Sequence, residues 1–231
     1  MKANKPSLIL FFIALFFTII FDCMKYDALS IYAKAVVLPA IFFYFYISNE
    51  FKIRKTEALI FFFCFVGQVF DLMAVEISEI GGVISFLIVY LLIIKLFVVD
   101  HERIKLRRKD ILPISIVVIF IVYLLVSVLS LQLDNMKKFN LLYTFYGIVL
   151  SVLSYYAFVS YITKGTHLAL LMSLMAISYI FSDIFYIFNE YFSYSIVLVL
   201  IRDVTQIFAY YFMAEYFLEK VKTNKKVLYN N

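Results

Sequence analysis

The sequence predicts an all-α membrane protein, a bundle of eight transmembrane helices forming a single domain over residues 1–231. Three observations lead there. The chain is 65% hydrophobic, far above the 45–50% apolar content typical of soluble domains, so it holds more apolar surface than a water-facing globule can bury. Its apolar runs are long and unbroken, with only five glycines and three prolines, which favours helices over the short alternating segments of a barrel. Lysine and arginine crowd into alternate gaps between those runs.

A hydrocarbon core about 30 Å thick takes roughly 20 helical residues. The spans read as Ser7–Met24, Ala28–Ser48, Ala58–Val75, Gly82–Val99, Ile111–Leu131, Leu141–Thr163, Leu168–Asn189 and Ser195–Leu218. The first lacks a small-x-small cleavage site and turns straight into the second, so it reads as a retained span rather than a signal peptide. With the N-terminus inside, fifteen basic residues fall in inner segments and three (Lys25, Lys137 and Lys138) in outer ones. That bias predicts a multi-pass protein of a bacterial cytoplasmic membrane with both termini cytoplasmic. The run Arg103–Lys109 reads as a topogenic and headgroup-contacting segment, and the net charge of +5 implies no nucleic-acid partner. Without tryptophan, interfacial anchoring falls to tyrosines such as Tyr26, Tyr191 and Tyr194.

The rare residue types exclude several chemistries. Two cysteines, Cys23 and Cys64, provide neither a disulfide framework nor a cysteine-rich metal site, and both read as packing residues. His101 and His167 fall in loops, which argues against three-histidine zinc sites and His-Glu-x-x-His proteases. Span seven has no lysine for a retinal Schiff base. No metal and no cofactor is implied.

Charged groups at membrane depth are costly and mark function or pairing. Lys95 can snorkel to the inner interface, and Glu215 lies about a turn from the inner end of span eight. Lys34, Gln68, Asp71, Asp183, Arg202 and Asp203 come from spans two, three, seven and eight. Each lies about 6–12 Å from the outer end of its span. Common depth in spans of alternating direction predicts one polar pocket in the outer half. Span six carries no charge and is expected to supply wall or lipid-facing surface. The bland alternative is that Lys34 or Arg202 pairs with Asp71, Asp183 or Asp203 to neutralise buried charge. Setting Gly67-Gln68 on Ser182-Asp183 gives an offset of 115 residues, near half the chain, as two parallel four-helix repeats would show.

Several motifs resemble the YhhN family, the transmembrane lysoplasmalogenases. Lys34-Ala35-Val36 resembles the Lys-Pro-Leu element of span two, with Ala35 for proline. Ser182-Asp183 matches the Ser-Asp element of span seven. Tyr211-Phe212-Met213-Ala214-Glu215 resembles the Tyr-x-x-Ala-Gln element of span eight, with Glu215 for glutamine. Two positions depart. The Gly-Asp element reads Gly67-Gln68, and Leu87 stands at the histidine position of span four. Asp71, one turn beyond Gln68, returns a carboxylate to that helix face.

The resemblance implies hydrolysis of the vinyl-ether bond of a lysoplasmalogen, with a membrane lipid or lysophospholipid as the partner. Asp183 and Asp71 are then the catalytic carboxyls. Two carboxyls held close in an apolar pocket settle into different protonation states, one fit to donate a proton and one to direct water. Lys34, Gln68, Arg202 and Asp203 make up the substrate-binding set, with Lys34 or Arg202 on the phosphate. A small-molecule or proton-coupled transporter, or a catalytically inactive family member, are the competing readings. Reporter fusions test the topology: one after Lys226 is expected to report inside, and one within Glu76–Gly81 outside. The reverse pattern contradicts the depth assignments.

Overall fold

The computed structural model describes residues 5–73, 76–99, 107–132 and 140–229, and within them the chain forms eight α-helices. They are α1 (Lys5–Cys23), α2 (Asp27–Ser48), α3 (Lys55–Met73), α4 (Glu76–Val99), α5 (Ile111–Gln132), α6 (Asn140–Lys164), α7 (His167–Tyr191) and α8 (Ile196–Tyr229). A 3-10 turn, Arg108–Asp110, leads into α5. All eight are long and apolar enough to cross a membrane, so the protein is a multi-pass membrane protein. Lys2, His101, Arg103, Lys105, Lys137 and Lys138 lie outside the described residues.

Local chemistry sets the ends of the helices. Between α1 and α2 the chain reverses over three residues, with Lys25 at a φ of 59°. Glu50 and Phe51 turn α2 into α3 at φ values of 56° and 61°. The Glu57 carboxylate reaches back to the Arg54 amide (3.0 Å) and guanidinium (2.6 Å), satisfying an orphan donor at the start of α3. Between α6 and α7, Gly165 takes a φ of +59°, a conformation that glycine adopts without steric cost. Thr166 then caps α7, its hydroxyl accepting from the Ala169 amide at 3.2 Å. Asn189 accepts from the Ser195 amide across the α7–α8 turn.

Successive helices therefore run antiparallel and alternate between two ends. The proximal end holds the start of α1 and the α6–α7 turn; the distal end holds the α1–α2 and α7–α8 turns. The tightest hairpins are α1–α2, α3–α4 and α7–α8. Further, α8 packs on α2 while α4 packs on α6, the same relation half a chain apart.

Aromatic side chains fill the centre, among them Tyr90, Tyr179, Tyr210, Phe11, Phe45, Phe97 and Phe217. Small residues let the helices approach, as lipid-embedded packing requires. Ser173 donates across to the Ala157 carbonyl at 3.1 Å, tying α7 to α6. The lipid-facing surface is richest on α5, where Leu112, Ile119, Tyr123 and Val126 are all exposed.

Two boundaries differ from those expected by more than three residues, and His167, expected in a loop, is the first residue of α7. Helix α4 begins at Glu76, not Gly82, so Glu76–Gly81 is helical. The glycines serve close packing there rather than a break: a Cβ on Gly81 would stand 2.8 Å from the Phe70 ring, and one on Gly67 would stand 3.0 Å from Phe86. Helix α8 runs past Leu218 because Glu219 carries it on, pairing with Lys222 and accepting the Thr223 hydroxyl at its carbonyl.

Candidate functional site

Polar groups at membrane depth gather in the distal half, around two centres rather than one. The first is an ion network on α1, α2 and α8. Lys34 Nζ lies 2.6 Å from Asp203 Oδ2 and 3.2 Å from Asp22 Oδ1. The two carboxylates thus share one ammonium. Ser30 donates to Asp22 from the turn below Lys34. Arg202 Nε donates to Asp203 Oδ1 at 2.7 Å. Asp203, at 4% side-chain exposure, is thus gripped by two cations. Gln68 joins from α3, its amide donating 2.6 Å to the Lys34 carbonyl.

The second centre is Asp183 on α7, about 12 Å from the distal end of its helix. Asp183 Oδ2 accepts from Tyr90 of α4 at 2.9 Å and from Tyr146 of α6 at 2.8 Å. The two tyrosine oxygens lie 3.2 Å apart, side by side on the carboxylate. The Tyr90 ring is fully buried and meets Tyr179 edge-on at 5.1 Å. Among the described residues no cation pairs with Asp183.

Asp183 and Tyr146 line a cleft of about 110 Å³ bounded by α5, α6 and α7. Its walls are apolar, with Leu125, Val128, Leu150, Ile180 and Ile187 on the three helices. The carboxyl, the tyrosine hydroxyls and Ser151 and Ser154 are the polar exceptions. Tyr186, one turn beyond Asp183, lines the same cleft and carries the Arg202 guanidinium 5.9 Å above its ring. That ring links the two centres.

The structure brings Lys34, Arg202, Asp203 and Gln68 together, and it sets Asp183 apart from them across Tyr186. Asp71 lies at the edge of the first centre, within the field of Arg202. It is exposed in the last turn of α3, two residues before Met73, and it does not line the cleft. Its charge is felt by Arg202 and by Tyr210, the latter also within the field of Asp183. Helix α6, expected as wall or lipid-facing surface, also delivers Tyr146 to the carboxyl. A hydroxyl serves a buried acid without the desolvation cost of a second charge, so net charge was the wrong marker for that helix. Sequence reasoning also passed over Asp22 and Tyr90. Tyr90 lies three residues from Leu87, on the same face, and supplies a polar group one turn along α4 from that level. In the proximal half Tyr44 donates to Glu215 at 2.5 Å, tying α2 to α8 a second time.

Eight apolar helices enclosing a charged network and a carboxyl in an apolar cleft define a polytopic membrane protein with an intramembrane polar site. Residues 29–221 match the YhhN family, and the chain belongs to that family. The match begins after α1, so Asp22 lies outside it. Neither the curated proteins nor the solved structures compared with the chain contain a match.

The network makes a stability prediction. Lys34→Met leaves Asp22 and Asp203 facing each other with one cation fewer and is expected to cost about 3–5 kcal/mol. Adding Asp22→Asn should restore part of that loss, read as a recovered melting midpoint in detergent. Additive losses in the double variant contradict the pairing.

Proposed function

We propose that the protein is a membrane-embedded lipid hydrolase of the lysoplasmalogenase type, cleaving the vinyl-ether bond of a lysoplasmalogen. One observation carries the reading: the Asp183 carboxyl sits in the wall of an apolar cleft, held by two hydroxyls rather than by a cation. An uncharged alkenyl chain suits such walls, and a vinyl ether needs a proton at carbon before anything else happens.

Asp183, as the carboxylic acid, gives its proton to the alkenyl carbon distal to the ether oxygen, leaving an oxocarbenium ion. Water then bonds to the cationic carbon while the Asp183 carboxylate takes a proton from it. The hemiacetal breaks into a fatty aldehyde and the free glycerol hydroxyl of the glycerophospho-base. One water is consumed and the carboxyl is restored. Tyr90 and Tyr146 fix Oδ2, which leaves Oδ1 to face the substrate. A headgroup leaving the cleft past Tyr186 meets Arg202, while Lys34, Gln68 and Asp203 hold the guanidinium's surroundings. Asp71, at the rim, acts on the headgroup end through Arg202. With both termini cytoplasmic, as the basic loops predict, this half faces outward.

Charged and hydrogen-bonded groups recur along the α2–α8 contact at two depths, Lys34–Asp203 and Tyr44–Glu215. That recurrence favours a proton-coupled transporter as the second reading.

Aldehyde release from a lysoplasmalogen by the purified protein tests the proposal. Asp183→Asn is expected to lose roughly 10²–10⁴ in kcat with its melting midpoint kept, the range that general acid–base groups supply. Tyr146→Phe should lose less, and Asp71→Asn should raise KM with kcat little changed. Full activity in a folded Asp183→Asn protein sinks the mechanism. No turnover of any vinyl-ether lipid, with proton flux in vesicles, decides for transport.

A further inference from the structure

Three glycines sit where a side chain would collide with a neighbouring helix, and one of them faces the cleft at Asp183. A Cβ on Gly81 would meet several atoms of the Phe70 ring, and one on Gly67 several atoms of the Phe86 ring. Both are filled packing contacts, and neither glycine lines the cleft. Gly147 of α6 is different. A Cβ there would stand 2.7 Å from a single atom, Leu125 Cδ1 of α5. Among the described residues no other atom from another helix comes within 4 Å of that point. Gly147 and Leu125 both line the cleft.

Gly147 directly follows Tyr146, whose hydroxyl reaches Asp183 at 2.8 Å. The Leu125 methyl therefore overhangs the cleft within about one helical turn of the carboxyl. Leu125 belongs to the inward stripe of α5, with Ile121 and Val128, while Tyr123 and Val126 on the far face are exposed. The cleft volume of about 110 Å³ is smaller than the roughly 150 Å³ of an apolar cavity that takes up one benzene ring. It holds a short length of one chain, not two side by side.

The bland reading is that a small residue lets α5 and α6 approach, as elsewhere in a membrane bundle. Packing alone is served by a filled contact, as at Gly81 and Gly67. At Gly147 the space is taken by the movable end of one leucine beside a void, so the width left in the cleft depends on where that methyl lies.

We infer that Gly147 and Leu125 set the width of the cleft at Asp183, admitting one unbranched hydrocarbon chain and turning away a chain methylated close to its ether oxygen. The inference rests on the reading of this cleft as the lipid site. Protonation needs the alkenyl carbon against the carboxyl, so crowding within a few carbons of the ether is felt at the bond that reacts. A straight chain passes the Leu125 methyl in van der Waals contact. A branch brings a further methyl to a point where close packing leaves no room for it.

Competition for a photo-label tests this without requiring turnover. An alkyl-ether lysophospholipid carrying a diazirine beside the ether is irradiated with the full chain in nanodiscs. The competitors, at equal mole fraction in the bilayer, carry either a straight hexadecyl ether or a phytanyl ether, which bears a methyl on its third carbon. The straight chain is expected to compete at least about tenfold better, the range that one methyl is worth in a hydrophobic pocket. Gly147→Ala, which drives the Leu125 methyl into the cleft, should weaken the straight chain by a similar factor, and adding Leu125→Ala should restore it. Leu125→Ala alone should bring the two chains to within about threefold of each other. Should Gly147→Ala lose its melting transition, Leu125→Ala decides, because it removes bulk from a largely exposed helix. A lowered melting midpoint in Leu125→Ala with the preference between chains unchanged marks a packing role and overturns the inference. Equal competition by the two chains in the wild type, or none by either, also overturns it. Aldehyde release separates the inference from the hydrolase reading. Turnover with equal use of straight and branched vinyl ethers overturns the inference alone, whereas chain preference in labelling without turnover supports it and sinks the hydrolase.

Discussion

A charge in hydrocarbon has to be paired, and the ion pair between Lys34 and Asp203 meets that demand for the distal half. At 2.6 Å, with side chains only 14% and 4% exposed, it joins α2 to α8. It draws in Asp22 from α1 and Arg202 from α8 itself. Three helices are locked at one depth by groups that cannot be left alone in lipid. Arg202 is thereby held where its guanidinium covers Tyr186 of α7. That contact connects the network to the cleft, so the position of the cleft's distal mouth depends on how the charges on α2 and α8 are matched.

Asp183 solves the same problem by other means. Two tyrosines of α4 and α6 satisfy one of its oxygens, and the surrounding wall is aliphatic. A carboxyl matched by a cation is a stable end state. One held by neutral donors keeps its proton chemistry available, and it stands beside space a lipid chain can enter. The division of labour follows: the paired charges organise the bundle, and the acid held by neutral donors lines the apolar cleft. Membership of the YhhN family is consistent with that division but does not by itself specify the reaction.

The fold was legible because membrane spans declare themselves by length and composition, and the turns by residues such as Gly165 and Thr166. The places where reading failed have physical causes. The fourth span was expected to begin only at Gly82, yet the helix runs on through Gly81, whose missing side chain admits the Phe70 ring. The candidate site was legible only where it carried charge. Lys34, Arg202 and Asp203 stood out and do converge, whereas Asp22 sat at a predicted span end and drew no attention. Tyr90 and Tyr146 are two of nineteen tyrosines, and nothing in sequence separates a tyrosine that holds a carboxyl from one that anchors an interface. Asp71 shares a helix face with Gln68 but projects at the rim, because α3 ends two residues later, at Met73.

The account's central claim is that the lipid lies against Asp183 between α5, α6 and α7. Photo-crosslinking measures this directly: a lysophospholipid carrying a diazirine near the alkenyl or alkyl ether position is irradiated with the protein, and labelled peptides are located by mass spectrometry. The account predicts labels on α5, α6 and α7 around Leu125, Leu150 and Ile184, competed away by unlabelled lysoplasmalogen. Competed labels confined to α2, α3 and α8 around Asp71 and Lys34 would contradict it.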